Sequence, residues 1–138
     1  PAGLADALLE VAGRYGPLRL YVTETGLPAG DYLSPEGTVD DGERTAFLDG
    51  HVAALRAARH AGVDVGGLFV WSLLDNLEWN LGYGPRFGLV YVEFASQRRV
   101  PKRSFGWYRD LIARSRGATG EAGRDGGAPP EIEERSGR

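Results

Sequence analysis

Residues 65–79 read VGGLFVWSLLDNLEW. The first ten, Val65 to Leu74, are apolar without alternation, as a strand buried on both faces should be. The rest changes character. Trp71, Asp75, Asn76, Glu78 and Trp79 are unusually polar and aromatic for the end of a core strand. Upstream, Leu18 to Thr23 is a second short apolar run, partly β-branched, and reads as another strand. It delivers Glu24, and Gly26 and Pro28 then end it.

Helical spacing surrounds these strands. Leu4, Ala7, Leu8, Val11, Ala12 and Tyr15 share one face, and Gly16-Pro17 stops it. Asp40 and Glu43 form a candidate capping pair for a second helix. Its face is Phe47, Leu48, Val52, Leu55 and Ala58, with Gly62 as its stop. Residues 26–42, with four Gly, two Pro and three Asp, form a long loop of the kind that often carries function. Phe87 to Phe94 is strand-like, and Ser96 to Arg99 suggests a turn. A last helix follows Pro101 and Ser104, with Phe105, Tyr108, Leu111 and Ile112 as its face.

Strands alternating with helices imply an α/β chain with a parallel sheet. Two such strands are too few to stand alone, so the chain reads as a piece of a larger α/β protein. If that protein is a barrel, its site gathers where strands end at the C-terminal face. Glu24 and the Trp71–Trp79 segment both lie at strand ends.

Composition narrows the function classes. Apolar residues make up 42% of the 138, which is enough for a packed core. A net charge of −3, with basic residues spread along the chain, argues against a nucleic-acid partner. There is no Cys, hence no disulfide, thiolate metal site or thiol nucleophile. His51 and His60 have no metal spacing, and no cofactor is expected. No apolar run reaches membrane-spanning length. No signal peptide is visible, and a cytoplasmic location is expected, although the chain opens on Pro1. From Gly117 the composition turns to Gly, Pro and charge, so the domain is expected at residues 1–116 and a disordered tail at 117–138.

Each candidate has a plainer reading. Glu24 could simply begin a loop, and Trp71 could be a core residue beside a solvated turn. Against this, aromatic faces cover the C–H faces of a sugar, and a carboxylate accepts two hydroxyl hydrogen bonds at once. Glu24 and Glu78 could also be the two carboxylates of a hydrolase. Asp75 and Asn76 read best as loop-capping residues.

Three motifs resemble glycoside hydrolase family 1, the β-glucosidase family. LYVTETG is similar to its strand-end motif Thr-Glu-Asn-Gly. GLFVWSLLDNLEWNLGY is similar to its last-strand motif, and RFGLVYVEFASQRRVPKRSFGWY to the segment after it. The resemblance covers about residues 3–114. It implies a (β/α)8 TIM barrel of which this chain is the C-terminal portion, its last two βα units. It implies retaining hydrolysis of β-glycosides, with terminal β-D-glucosyl residues as substrate. It places Glu24 on the nucleophile, Trp71 on an aromatic lining residue and Glu78 on the carboxylate that holds the 4- and 6-hydroxyls. Trp79 falls on its hydrogen-bonding neighbour, and Phe87 on an apolar wall. A carboxylate at position 78 would repel a phosphate, which implies unphosphorylated sugars.

Two departures accompany the resemblance. Thr25 stands where the family has Asn, and the acid/base motif Asn-Glu-Pro does not occur in the chain. The missing N-terminal part of the barrel is thus the expected partner, and the isolated chain is expected to be inactive. The alternative is a non-catalytic remnant that binds sugar or pairs with another chain.

Overall fold

A computed structural model describes residues 1–120. Helix α1 (Ala2–Tyr15) leads into strand β1 (Leu20–Thr25), and helix α2 (Gly42–His60) into strand β2 (Val65–Val70). A short 3₁₀ turn (Trp79–Leu81) precedes strands β3 (Val90–Glu93) and β4 (Arg98–Pro101), and helix α3 (Arg103–Gly120) closes the described chain. The class is α/β, as expected.

β1 and β2 pair in parallel, with Leu20 opposite Val65 and Thr25 opposite Val70. The helical layer covers one face of this sheet. Leu8, Ala58, Val63 and Val65 form its buried core, and Leu4, Ala12, Leu20, Val22 and Leu55 pack around them. The other face is open: Tyr21 is 53% exposed and Phe69 56%. Burial of β2 on both faces is thus not completed within this chain, as expected of two strands that nothing else here can flank: the helices cover one side only.

Four boundaries also differ from expectation, the first being β1, which runs from Leu20 to Thr25 rather than Leu18 to Thr23 and so contains Glu24. β2 ends at Val70 rather than Leu74, because the ladder changes partner there. Ser72 N–H donates to Phe87 O at 3.2 Å and Asp75 N–H to Val90 O at 3.1 Å. The run from Phe87 gives only β3, which turns back into antiparallel β4 where a turn alone was expected. The last helix runs to Gly120, past the boundary set at residue 116. The rest of the tail expected to be disordered, residues 121–138, lies outside the described residues.

Candidate active site at the strand ends

Parallel pairing brings the ends of β1 and β2 to one edge. Trp71, the first residue past β2, donates its backbone N–H to Thr25 O at 2.8 Å. Glu24, next to Thr25, is exposed there. Gly26 permits the close approach: a Cβ on it would lie 2.1 Å from Trp71 O and 3.4 Å from Phe87 Cδ1. Phe87, half-buried, thus lies against the same strand end as Trp71, which is 39% exposed. A cis peptide bond joins Trp71 to Ser72. Glu24, Trp71 and Phe87 thus lie along one strand end, joined through Thr25 and Gly26.

Glu78 and Trp79 sit on a separate tight turn. Glu78 N–H donates to Gly82 O at 2.8 Å, and Gly82 N–H donates back to Glu78 O at 3.1 Å. Glu78 is half-buried and Trp79 is 87% exposed. Among the described residues, no hydrogen bond or ring contact links either side chain to Glu24, Trp71 or Phe87.

Asp75 and Arg86, which bracket the Glu78–Trp79 turn in the chain, belong to a buried ion cluster that the sequence reading missed. Lys102 Nζ donates to Asp31 at 2.5 Å and to Asp75 at 2.7 Å. Asp75 accepts from Arg86 at 2.7 Å and from the backbone N–H of Gly88 at 3.0 Å and Val92 at 3.3 Å. Gly88 fits only as glycine, since a Cβ would meet Asp75 N at 2.2 Å. Arg44 reaches Asp31 at 2.8 Å, Asp41, and the carbonyls of Leu27 and Arg86 at 3.3 and 2.6 Å. Burial alone would push the Arg44 pKa down. Hydrogen bonds and negative charge from Asp31 and Asp41 outweigh it and hold the guanidinium above its ordinary value. Three cations thus face three carboxylates, so the cluster is neutral, as a buried group of charges must be.

Loop capping fits Asn76, whereas the Asp75 carboxylate serves the ion cluster and the distant N–H groups of Gly88 and Val92. Asn76 Nδ2 donates to Ser72 Oγ at 2.8 Å and to Leu74 O at 2.9 Å. Two signals pointed to the cluster. Arg44 lies four and eight residues before Leu48 and Val52, on the core stripe of α2, and Lys102 is the sole Lys in the chain. Among the described residues there is no His, Cys, Asp and Glu grouping able to hold a metal ion. No described helix is long and apolar enough to cross a membrane.

Comparison with known proteins agrees with this architecture. The model of glycosyl hydrolase family 1 matches residues 1–117. Beta-glucosidase A of Thermotoga maritima is 41% identical over 112 residues, covering 81% of this chain and 25% of that protein. A 6-phospho-beta-galactosidase of Streptococcus equi subsp. zooepidemicus is 40% identical over 114 residues, 82% of this chain and 24% of that protein. The solved family 1 β-glucosidase of Thermotoga maritima in complex with isofagomine lactam superposes with a TM-score of 0.80 at 41% identity. That match covers 82% of this chain and 26% of the solved one. The chain spans about a quarter to a third of the length of the curated relatives it matches first. The chain belongs to glycosyl hydrolase family 1.

Proposed function

We propose that this chain is the C-terminal portion of a retaining β-glycosidase that hydrolyses terminal non-reducing β-D-glucosyl residues. One observation carries the reading. In a family 1 chain, the end of the parallel strand that bears Glu24 meets Trp71 and Phe87 through Thr25 and Gly26. Residues 1–116 are read as the last two βα units of a (β/α)8 barrel, whose active site forms at the C-terminal strand ends.

Glu24 is the nucleophile in this reading. Its carboxylate attacks the anomeric carbon and the leaving oxygen departs, which gives a glycosyl-enzyme that water then hydrolyses. The proton for the leaving oxygen comes from a carboxyl on the remainder of the barrel. Such general acid help is typically worth about 10²–10⁴-fold, so this chain by itself lacks most of the rate. Trp71 and Phe87 supply apolar walls, and Glu78 with Trp79 holds the sugar hydroxyls.

The test uses the native protein that contains these residues. Glu24→Gln should abolish turnover of an aryl β-D-glucoside while a glucose-like inhibitor still binds. Near-normal rates would overturn the nucleophile assignment, and an inactive parent would leave the remnant reading in its place. Glu78 adds a substrate prediction, since like charges repel across a binding site. The aryl glucoside should be turned over faster than its 6-phosphate, and the reverse order would overturn the role of Glu78.

A further inference from the structure

We propose that the buried cluster of Lys102, Asp75, Arg86 and Asp31 is a positioning device that sets the Glu78–Trp79 turn relative to the strand end bearing Glu24. The inference rests on the sugar-holding role of Glu78 proposed above. The turn belongs to the excursion between Asp75 and Arg86. The ion pair of those two residues, at 2.7 Å, closes the base of that excursion. Its far side is held as well. The Tyr83 ring lies 4.6 Å from that of Phe94, and the Arg86 guanidinium stands 4.8 Å from the Phe94 centroid. Lys102 then binds this base to the loop that follows Glu24, because its one ammonium bridges Asp75 and Asp31.

A purely stabilising role explains this arrangement less well. Well-packed apolar side chains of similar volume usually serve stability as well as a buried ion cluster or better. What ions add is direction: an ammonium held between two carboxylates fixes both chain segments at hydrogen-bond distance. That matters for a carboxylate that must meet sugar hydroxyls, because a small misplacement of a positioning group costs binding and rate.

The charge count allows a clean test. Lys102→Met with Asp31→Asn removes the ionic link between the two loops and leaves only the backbone pair of Ala29 with Arg86, at 3.1 and 3.2 Å, and the Arg44 bond to Arg86 O to join them. It leaves Arg44 paired with Asp41 and Arg86 with Asp75, so no buried charge is stranded. In the native protein, the readout is kcat/KM for 4-nitrophenyl β-D-glucoside divided by that for its 6-deoxy analogue. The ratio reports the grip on the 6-hydroxyl, and loss of folded protein lowers both values equally.

The double variant should lower this ratio by about tenfold or more, because a site built to hydrogen-bond a hydroxyl discriminates strongly against its absence. A ratio within about twofold of the parent, in a variant that melts cooperatively, would show that the cluster only supports the fold. If the double variant does not fold, Tyr83→Leu decides the matter. Tyr83 is 57% exposed, so the fold tolerates its loss, and the ratio should fall in the same direction. An unchanged ratio in Tyr83→Leu would then overturn the proposal. Glu78→Gln is the control: if it leaves the ratio unchanged, the reading of Glu78 fails and the positioning role fails with it.

Discussion

Gly26 shows how much the strand end depends on one missing methyl group. A Cβ there would press to 2.1 Å from the carbonyl of Trp71, well inside any real contact. Backbone must move to relieve it, and the Trp71 and Phe87 walls would move too. Gly26→Ala should therefore cost about 1–3 kcal/mol and lower kcat/KM as well. Gly30→Ala, which meets nothing within 4 Å, should stay within about 0.5 kcal/mol. Thermal melts and initial rates of both variants check the pair. Glu24 stands out in the sequence because it lies where an apolar run ends. The pairings of Lys102 were not legible, because its partners come from far along the chain. Lys102 bonds to Asp31 across 71 residues and to Asp75 across 27, and no local window contains those pairs.

Among the elements, the start of α2 departs most from its expected chemistry. Asp40 and Glu43 read as a capping pair, yet the N-cap is Asp41, and it makes no side-chain cap to its own helix. Its carboxylate turns to α3 instead. It accepts the Ser104 N–H at 2.8 Å and the Ser104 hydroxyl, and also pairs with Arg44. Asp41→Ala should thus uncap α3 and leave the buried cluster with one positive charge in excess, its Arg44 sharing Asp31 with Lys102, a loss of about 3–5 kcal/mol. Asp40→Ala should cost no more than about 1 kcal/mol, since its pair with Arg103 is exposed on both sides. Denaturant melts of the two variants would separate them. α3 is also tied to β2, through the Tyr108 hydroxyl donating to Leu68 O at 2.9 Å. Burial raises the Tyr108 pKa above its ordinary 10.0. The unfolded chain therefore loses this proton first as pH rises. The Tyr108 contribution is complete below pH 10 and is lost as pH climbs through the folded-state value. Tyr108→Phe should remove that alkaline loss, at a cost of about 0.5–1.5 kcal/mol near neutrality for the hydrogen bond. Melts on either side of pH 10 check the sign. The three helices were legible from their 3.6-residue spacing. β4 was not, because only Val100 of Arg98–Pro101 is buried and its strand character comes from pairing with β3.

At the scale of the whole molecule, the open apolar surface argues for more polypeptide. Phe69 and Leu73 are 56% and 61% exposed, and with Leu89, Phe105 and Ile112 they line an apolar groove of about 520 Å³ between β2 and α3. Surface of this kind marks a contact surface or an aggregation hazard. Among the described residues, β1 and β2 each have one unpaired edge, and two strands rarely make a stable sheet. The α/β class and the family were legible in the motifs. The open face was legible as well, because two strands of the kind buried on both sides have nothing else in the chain to flank them. The 138 residues expressed alone should therefore be poorly folded, take up a hydrophobic dye, and show no turnover of aryl β-glucosides. Clear turnover by the purified chain, lost on Glu24→Gln, would refute this, because a proton donor would then have to lie within these residues. Restored turnover on adding the remainder of the native protein as a separate chain is the expected counterpart. The groove and the open sheet face would close against it, and an acid would meet Glu24 across the strand ends.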